Sequence, residues 1–245
     1  MITLARLSST SGEIAILHHQ GTGRVLYRQG EWYQSEADAN GVSLAPYIHA
    51  LYGLLLQGGC RDVLMIGCGG GTLATMLRHA GVGVAIVDVA AHSFALARQY
   101  FRLPADVPCH VADGHEFLRT HDELYDAIVL DAYEGDRIPT HFLTEDFLRQ
   151  VKARLRPGGC MLANIHVLHD FDPAPDRFAF LVERVWRDVR LLDGRGIVHR
   201  NAIVMAGAVA SLVPPTLVVA PDAGSEEIVR ELARLAFRPW QQIPR

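Results

Sequence analysis

From residue 62 onward, short apolar runs alternate with amphipathic segments of helical length. The apolar runs lie at 62–66, 84–88, 108–112, 126–131, 159–165, 188–192 and 201–207. The helical segments between and after them lie at 72–80, 92–101, 114–120, 144–154, 174–186 and 225–237. Buried strands separated by single helices are typical of a parallel sheet covered by helices on both faces. The pattern predicts an α/β fold with a Rossmann-like, doubly wound sheet, in which ligands bind beyond the carboxyl ends of the strands.

The beginning of the chain follows a different pattern. Short β-like runs at 13–17 and 24–28 are separated by glycine-containing turns. The apolar stretch 44–56 then has the length of a helix and ends at a pair of glycines. We therefore expect an N-terminal β extension over residues 1–45 and a Rossmann-like domain over residues 46–245.

Charge and hydropathy exclude some classes of partner. The 23 Lys and Arg residues and the 27 Asp and Glu residues give a formal charge of −4 at pH 7, whereas duplex nucleic acid requires a concentrated basic surface. The N-terminal sequence has no secretory signal pattern. Residues 202–220 carry no charge, but Pro214 and Pro215 interrupt them, so a buried strand and a loop are expected there. We expect a cytoplasmic protein that binds neither nucleic acid nor membrane.

The sequence contains no strong metal-binding motif. The four cysteines are far apart and form no C-x-x-C pair, so neither a zinc site nor a disulfide framework is indicated. His166 and His169 have a spacing that also occurs in metal sites, but they lie outside any predicted helix and have no evident third ligand. We therefore expect no bound metal.

A loop with four glycines follows the apolar run 62–66 and leads into a helix. Glycine lets the backbone turn sharply and approach a ligand closely, and the N-terminus of a helix offers free N–H groups. Asp88 ends the next strand, 21 residues after Gly67, where a carboxylate accepts hydrogen bonds from ribose hydroxyls. We predict nucleoside binding by Gly67, Gly69, Gly71 and Asp88; the alternative is a glycine turn that serves only packing.

Two further predicted strands end in a carboxylate. Asp113 and Gly114 follow the third strand, and Asp131 follows the fourth. Asp113 is placed to accept a hydrogen bond from an adenine amino group, or to cap the helix at 114–120, and the two roles are compatible. Because the carboxyl ends of parallel strands meet at one edge of a sheet, we expect Asp88, Asp113 and Asp131 to surround a single ligand.

The segment after Asp131, Ala132-Tyr133-Glu134-Gly135-Asp136, is rich in carboxylates. Acidic side chains beside a nucleoside pocket suit a cationic second substrate, although a solvated acidic loop is the alternative. Tyr133 and Tyr47 are candidates for the wall of such a pocket, because an aromatic face attracts a sulfonium or an ammonium ion. Core packing is an equal alternative for Tyr47.

Three stretches of the chain together resemble the spermidine synthase family of aminopropyltransferases. They are residues 63–101, the sequence VADGHEF at 111–117, and residues 125–159. The resemblance extends over residues 24–207. It implies an N-terminal β domain followed by a Rossmann-like domain of the S-adenosylmethionine-dependent methyltransferase type, often assembled as a homodimer or homotetramer. It also implies a donor, decarboxylated S-adenosylmethionine, and a polyamine acceptor.

Carried over position by position, the resemblance implies roles for individual residues. Asp131 would be the catalytic carboxylate. Asp88 would hold the ribose, and Asp113 with Gly114 would contact the adenine. Gln34 would line the amine channel, and we expect Tyr133 and Glu134 beside it as further substrate-binding residues.

The sequence departs from the family pattern at two positions. Gly70 stands where the family has an aspartate expected to bind the amino group of the donor, and Glu134 stands where the family has a second aspartate. An aspartate at position 70 would repel the carboxylate of ordinary S-adenosylmethionine, whereas a glycine at that position does not. Conversely, Met65 replaces the acidic residue that methyltransferases of this fold usually carry before the loop, which favours the synthase group.

The sequence therefore predicts a transferase that moves an aminopropyl group from decarboxylated S-adenosylmethionine to a polyamine such as putrescine. One alternative is a methyltransferase that uses S-adenosylmethionine on a small-molecule acceptor. Another is a relative that binds nucleosides without catalysis. A nicotinamide-dependent dehydrogenase also has a glycine loop and an acidic residue such as Asp88, but the resemblance through Asp113 and Asp131 disfavours it.

Overall fold

The computed structural model of the protein describes residues 1–9 and 12–241. The strands are β1 (Ile2–Ser9), β2 (Gly12–His19), β3 (Arg24–Gln29), β4 (Trp32–Ala37), β5 (Asp62–Ile66), β6 (Gly83–Asp88), β7 (Cys109–Val111), β8 (Tyr125–Leu130), β9 (Leu155–Val167), β10 (Val189–Asp193), β11 (Arg200–Gly207) and β12 (Ala236–Arg238). The helices are α1 (Pro46–Gln57), α2 (Thr72–His79), α3 (Ala91–Tyr100), α4 (Gly114–Thr120), α5 (Glu145–Ala153), α6 (Ala174–Glu183) and α7 (Ser225–Leu232), with a short 3₁₀ turn at Thr140–Phe142.

The first four strands form an antiparallel meander in the order β1-β2-β3-β4. Alternate residues of β2 and β3 face inward, because successive side chains of a strand point to opposite faces. Ile14, Ile16 and Tyr27 are buried against Phe101, which follows α3 of the larger domain. The predicted N-terminal β structure is thus confirmed, and its core is shared with the rest of the molecule.

The second sheet has the order β12-β10-β11-β9-β8-β5-β6-β7. Strands β7, β6, β5, β8 and β9 are parallel, whereas β11, β10 and β12 add to one side as antiparallel strands. The chain runs outward from β5 through β6 to β7, then returns to β8 on the other side of β5. Ligands in such sheets bind at this reversal, beyond the carboxyl ends of the strands. The predicted Rossmann-like fold is confirmed.

Helices bury the two faces of this sheet. Apolar side chains of α1, α2 and α7 pack on one face, and those of α4, α5 and α6 pack on the other. Each fully buried Leu, Ile or Phe side chain contributes roughly 1.5–3 kcal/mol. The hydroxyl of Thr144 caps α5 by accepting a hydrogen bond from the Phe147 N–H at 3.2 Å. These layers hold the strand ends rigidly where the ligand is expected.

The prediction for the last helix was wrong beyond Leu232. The helix α7 ends at that residue, and Ala236–Arg238 pairs with β10 as the antiparallel edge strand β12. The Arg238 side chain explains this change, because it forms ion pairs with Asp176 and Asp193 of the neighbouring elements. Among the residues that the structure describes, no helix has the combined length and apolar character needed to cross a bilayer.

Candidate active site

A cleft of about 1720 Å³ runs along the carboxyl ends of β5, β6, β7 and β8 and extends to the N-terminal sheet. The ends of β6 and β8 place Asp88 and Asp131 in its lining, and the turn after β7 adds Asp113. The three carboxylates expected to converge therefore line one cleft. The side contributed by β4 includes Gln34.

The glycine loop brings the backbone close to the end of β8. Gly67 has a φ of +102°, and a Cβ there would lie 2.2 Å from the carbonyl oxygen of Asp131. Gly69 has a φ of +50° and lies under Ser35 of β4, whose Oγ would be 2.9 Å from an added Cβ. Both glycines line the cleft, whereas Gly71 does not. Gly71, at the N-terminus of α2, packs against Ala97 and Leu103 of the core, and its contact with a nucleoside stays a prediction.

The structure gives a steric reason for the glycine at position 70. A Cβ there would lie 2.9 Å from both the Phe101 ring and the Ser35 Cβ. The Gly70 N–H donates to Ser35 Oγ at 2.8 Å, and this hydroxyl donates to the Gln34 carbonyl at 2.7 Å. Strand β4 and the Phe101 ring therefore occupy the space that a side chain at position 70 would need.

Asp88 is held by backbone groups and keeps free acceptor positions. Its two oxygens accept hydrogen bonds from the N–H groups of Cys68 and Ala90, each at 2.8 Å. Burial raises the pKa of Asp88, although the two N–H groups oppose this effect. Each carboxylate oxygen has a second lone pair, so Asp88 retains acceptor capacity for two ribose hydroxyls.

Asp113 caps α4, as one of its two predicted roles required. Its Oδ1 accepts hydrogen bonds from the N–H groups of His115 and Glu116 at 2.9 and 3.1 Å. Its Oδ2 lies 2.8 Å from Nε2 of His141. Gly114 packs directly on β5, since a Cβ at that position would lie 2.5 Å from Ile66. The capping role is confirmed, and contact of Asp113 or Gly114 with adenine stays a prediction.

Asp131 lies on the floor of the cleft between neutral hydrogen-bond donors. Its Oδ1 accepts from Nδ2 of Asn164 at 2.8 Å, and its Oδ2 accepts from the Tyr47 hydroxyl at 3.4 Å. Burial raises the pKa of Asp131, and the two donors only partly offset this. Burial and the charge of Asp131 also raise the pKa of Tyr47, which keeps its hydroxyl protonated as a donor. The result is a carboxylate with more basic character than one in water.

The sequence analysis missed Asn164 and Asn201. Asn164 is 2% exposed, and its Oδ1 accepts a hydrogen bond from Nδ2 of Asn201 at 2.8 Å. A polar residue within the apolar run 159–165 was the available signal, because a buried amide requires partners for both its ends. Tyr47 was placed correctly at the cleft wall, but its contact with Asp131 had no signal in the sequence.

Tyr133 and Glu134 occupy different positions in the cleft. The Tyr133 hydroxyl donates to the Asn164 carbonyl and accepts from the His166 N–H, both at 2.8 Å, so it fixes the ring against β9. Glu134 is exposed at the rim, in a tight turn closed by its N–H and the Arg137 carbonyl at 2.8 Å. Tyr133 therefore presents its ring rather than its hydroxyl to a ligand, and Glu134 presents a solvated carboxylate.

Acidic side chains dominate the lining of the cleft. Seven carboxylates line it, namely Glu31, Glu36, Asp88, Asp113, Asp131, Glu134 and Asp136. Within residues 1–9 and 12–241, Arg137 is the only lysine or arginine of the lining. A concave surface with this charge attracts a cationic ligand.

The histidines singled out in the sequence are separated in the structure. His166 lines the cleft, with its ring centroid 5.9 Å from that of His199 and 6.2 Å from that of Trp32, whereas His169 is not part of the lining. In the part of the chain with described coordinates, no group of three or more His, Cys, Asp or Glu side chains is arranged to hold a metal ion.

Comparisons with known proteins agree with this architecture. Residues 63–159 match a family model described as a methyltransferase domain. The chain is 32% identical over 126 residues to a "Probable polyamine aminopropyl transferase" of Bifidobacterium longum, an alignment that covers 51% of this chain and 28% of that protein. It is 28% identical over 201 residues to a "Polyamine aminopropyltransferase" of Chromobacterium violaceum, covering 78% and 74%.

A solved structure shows the same fold over nearly the whole length. The structure of a probable spermidine synthase from Corynebacterium glutamicum superposes with a TM-score of 0.75 at 18% identity, and the match covers 97% of this chain and 91% of that one. The aligned segment spans little more than a quarter of the Bifidobacterium relative and about three quarters of the Chromobacterium one. The chain is thus similar in sequence to polyamine aminopropyltransferases, and it shares its fold with a probable spermidine synthase.

Proposed function

We propose that the protein transfers an aminopropyl group from decarboxylated S-adenosylmethionine to a small amine such as putrescine. The observation that carries this proposal is the position of Asp131, a half-buried carboxylate, on the floor of an acid-lined cleft at the reversal point of the sheet. Its side-chain partners within the described residues are neutral donors, Asn164 and Tyr47. The polyamine aminopropyltransferases among the relatives support the same reaction.

The donor would occupy the half of the cleft formed by β5, β6 and β7. The backbone of Gly67 and Gly69 would approach its sulfonium and ribose, and the spare lone pairs of Asp88 would accept the ribose hydroxyls. Asp113 and Gly114 would border the adenine. This placement brings the sulfonium next to Asp131, because the end of β8 contacts Gly67.

The charge of the cleft favours the decarboxylated donor. Ordinary S-adenosylmethionine has a carboxylate on its tail, which would face several acidic side chains. Within the described residues, Arg137 is the one arginine that lines the cleft, and it lies on the exposed rim. The Gly70 N–H, another group suited to a carboxylate, already donates to Ser35. A donor with only positive charges avoids this repulsion.

The reaction is a displacement at the methylene carbon bound to sulfur. The amine nitrogen forms a bond to that carbon, the carbon–sulfur bond breaks with its electron pair moving to sulfur, and methylthioadenosine leaves. The nucleophile must be neutral, whereas an alkyl amine has a pKa of ~10.4 in water. Asp131 would accept the proton of the attacking nitrogen and pass it to solvent. General base catalysis of this kind contributes about 10²- to 10⁴-fold.

The acceptor half of the cleft would orient the amine in line with the sulfonium. The Tyr133 ring presents an aromatic face to an ammonium group, Glu134 offers a carboxylate at the rim, and Gln34 lines the wall formed by β4. Holding the two reactants in line lowers the barrier by up to ~7–11 kcal/mol, so positioning outweighs proton removal.

Methyl transfer from S-adenosylmethionine is the second candidate. The match to a methyltransferase domain and the uncharged loop at Gly70 favour it. The two reactions leave different nucleosides, so mass spectrometry of the products separates them. We expect methylthioadenosine and an aminopropylated amine from the decarboxylated donor with putrescine. S-adenosylhomocysteine and a methylated amine would establish methyl transfer instead, and nucleoside binding without any product would indicate a non-catalytic relative.

A further inference from the structure

The Asp131 carboxylate ends a short chain of hydrogen bonds that begins on β11. Asn201 donates through Nδ2 to Oδ1 of Asn164, and Asn164 donates through Nδ2 to Oδ1 of Asp131, each at 2.8 Å. We propose that Asn164 and Asn201 form a directional amide relay that positions Asp131 for the transfer reaction. This inference rests on the proposed function, because it assigns Asp131 the role of proton acceptor.

The direction of the relay follows from the chemistry of the amide. A side-chain amide donates from its nitrogen and accepts at its oxygen, whereas an ionised carboxylate only accepts. Asn201 occupies the Asn164 oxygen and so leaves the Asn164 NH₂ group facing Asp131. Reversal of the Asn164 amide would place its oxygen against the Asp131 carboxylate, an arrangement with two acceptors and no proton between them.

The sheet makes this arrangement rigid. Asn164 lies on β9 and Asn201 on β11, and the two strands are paired antiparallel along their length, with Asn201 opposite His166. Asn164 is 2% exposed, so water does not replace either partner readily. Its backbone carbonyl also accepts the Tyr133 hydroxyl at 2.8 Å, which ties the same residue to the acceptor wall.

The relay distinguishes the two oxygens of Asp131. Oδ1 is occupied by Asn164 at 2.8 Å, whereas Oδ2 has only the longer contact of 3.4 Å with the Tyr47 hydroxyl. The titratable groups that influence Asp131 from the packed elements are Tyr47 on α1 and Tyr133 after β8. Oδ2 therefore has the greater free acceptor capacity, and the relay assigns it the proton of the amine.

Three variants test the relay in the full-length protein. Asn201→Ala removes the outer hydrogen bond and leaves Asn164 free to reverse. Asn201→Asp supplies a carboxylate that accepts only, so it draws the Asn164 NH₂ group away from Asp131. Asn164→Leu removes the relay at nearly constant volume. The double variant Asn164→Leu with Asn201→Asp has the added negative charge but no amide at position 164. It is therefore the matched control for the effect of the charge alone.

We expect kcat to fall about 10-fold in Asn201→Ala and about 100-fold in Asn201→Asp, magnitudes typical of a lost hydrogen bond to a charged group. The acid-side midpoint of the kcat profile should move to higher pH. The dissociation constant of methylthioadenosine, measured by calorimetry, should stay within about twofold, because a positioning defect affects Asp131 and not the nucleoside half of the cleft. Adding Asn201→Asp to Asn164→Leu should have little further effect on kcat.

Two results would overturn the relay. One is a kcat and pH profile within about twofold of wild type for both Asn201→Ala and Asn164→Leu. The other is an equal fall in kcat when Asn201→Asp is made in the wild-type protein and in the Asn164→Leu variant. Such a result would show that the added charge acts without the Asn164 amide. If the wild-type protein makes no aminopropylated amine, the proposed function fails, and the relay's role in that reaction fails with it. Wild-type activity with unaffected variants rejects the relay alone.

Discussion

At the scale of single residues, the carboxylates of this protein fall into two groups with opposite environments. Asp131 accepts hydrogen bonds from neutral donors, Asn164 and Tyr47, and burial raises its pKa. For Asp193 burial alone would also raise the pKa, but hydrogen bonds from Arg200 and Arg238 outweigh it and lower the pKa. The second environment stabilises the charged form and suits a structural ion pair, whereas the first makes a better proton acceptor and reduces stability.

The substitution Asp131→Asn tests the first environment through catalysis. The amide has nearly the same shape but does not accept a proton from the amine, so we expect turnover to fall by about 10²- to 10⁴-fold. Calorimetry should show methylthioadenosine binding close to that of wild type. The matched control is Glu134→Gln at the exposed rim, which should change KM for the amine more than kcat. Near-normal kcat in Asp131→Asn would remove Asp131 from the mechanism.

The same substitution should stabilise the fold at neutral pH. Because the pKa of Asp131 is raised in the native state, the native protein binds more protons than the unfolded chain between the unfolded and folded pKa values, and stability falls as pH rises through that window. Asp131→Asn removes this penalty. Urea unfolding should therefore find the variant more stable than wild type at pH 7, with the difference shrinking as the pH falls. A wild-type protein that is more stable at pH 7 would contradict this environment.

At the scale of elements, the sequence predicted what its periodicity encodes and missed what depends on distant contacts. The strands from β5 to β11 and the glycine loop follow from local patterns, as does the convergence of Asp88, Asp113 and Asp131. The contact of β4 with Gly70 was not predictable, because it joins residues 35 positions apart in the chain. The relay through Asn201 joins strands brought together only by the sheet order.

The glycine loop offers a second test at this scale. Gly67→Ala would place a Cβ 2.2 Å from the Asp131 carbonyl oxygen in a backbone with positive φ, so both strain and a steric clash are expected. Gly81→Ala is the matched control, since Gly81 has a φ of +78° and no atom within 4 Å of an added Cβ. We expect the control to lose roughly 1 kcal/mol by urea unfolding and Gly67→Ala to lose clearly more, together with nucleoside binding. Equal losses would show that the loop does not pack closely on the end of β8.

At the scale of the whole molecule, polar contacts outside the lining of the cleft hold the larger sheet together. Asp193 is fully buried at the end of β10 and bonds Arg200 at 2.7 Å and Arg238 at 2.9 Å. Arg238 continues to Asp176 of α6 at 2.7 Å. This network fixes β12 at the edge of the sheet, which is why the last predicted helix ends early. The division at residue 45, the oligomeric state and the cellular location stay predictions.

The substitution Asp193→Ala should destabilise the protein by about 3–5 kcal/mol, because it removes the fully buried carboxylate that pairs with both Arg200 and Arg238. The exposed pair of Glu116 and Arg119 provides the control, since Glu116→Ala should cost less than ~0.5 kcal/mol. The lowered pKa of Asp193 means that its contribution is present above about pH 4 and is lost as pH falls through the folded value. Urea unfolding at pH 7 and pH 3 measures both effects. Equal losses for the two variants at pH 7 would contradict the network.

The central claim is that the cleft is built for an adenosyl sulfonium whose tail lacks a carboxylate. Titration calorimetry with decarboxylated and ordinary S-adenosylmethionine under identical conditions tests it most directly. Because the carboxylate would face the acidic lining without a guanidinium beside it, we predict at least about tenfold tighter binding of the decarboxylated donor, a difference of ~1.4 kcal/mol. Tighter binding of ordinary S-adenosylmethionine would contradict the claim and favour methyl transfer.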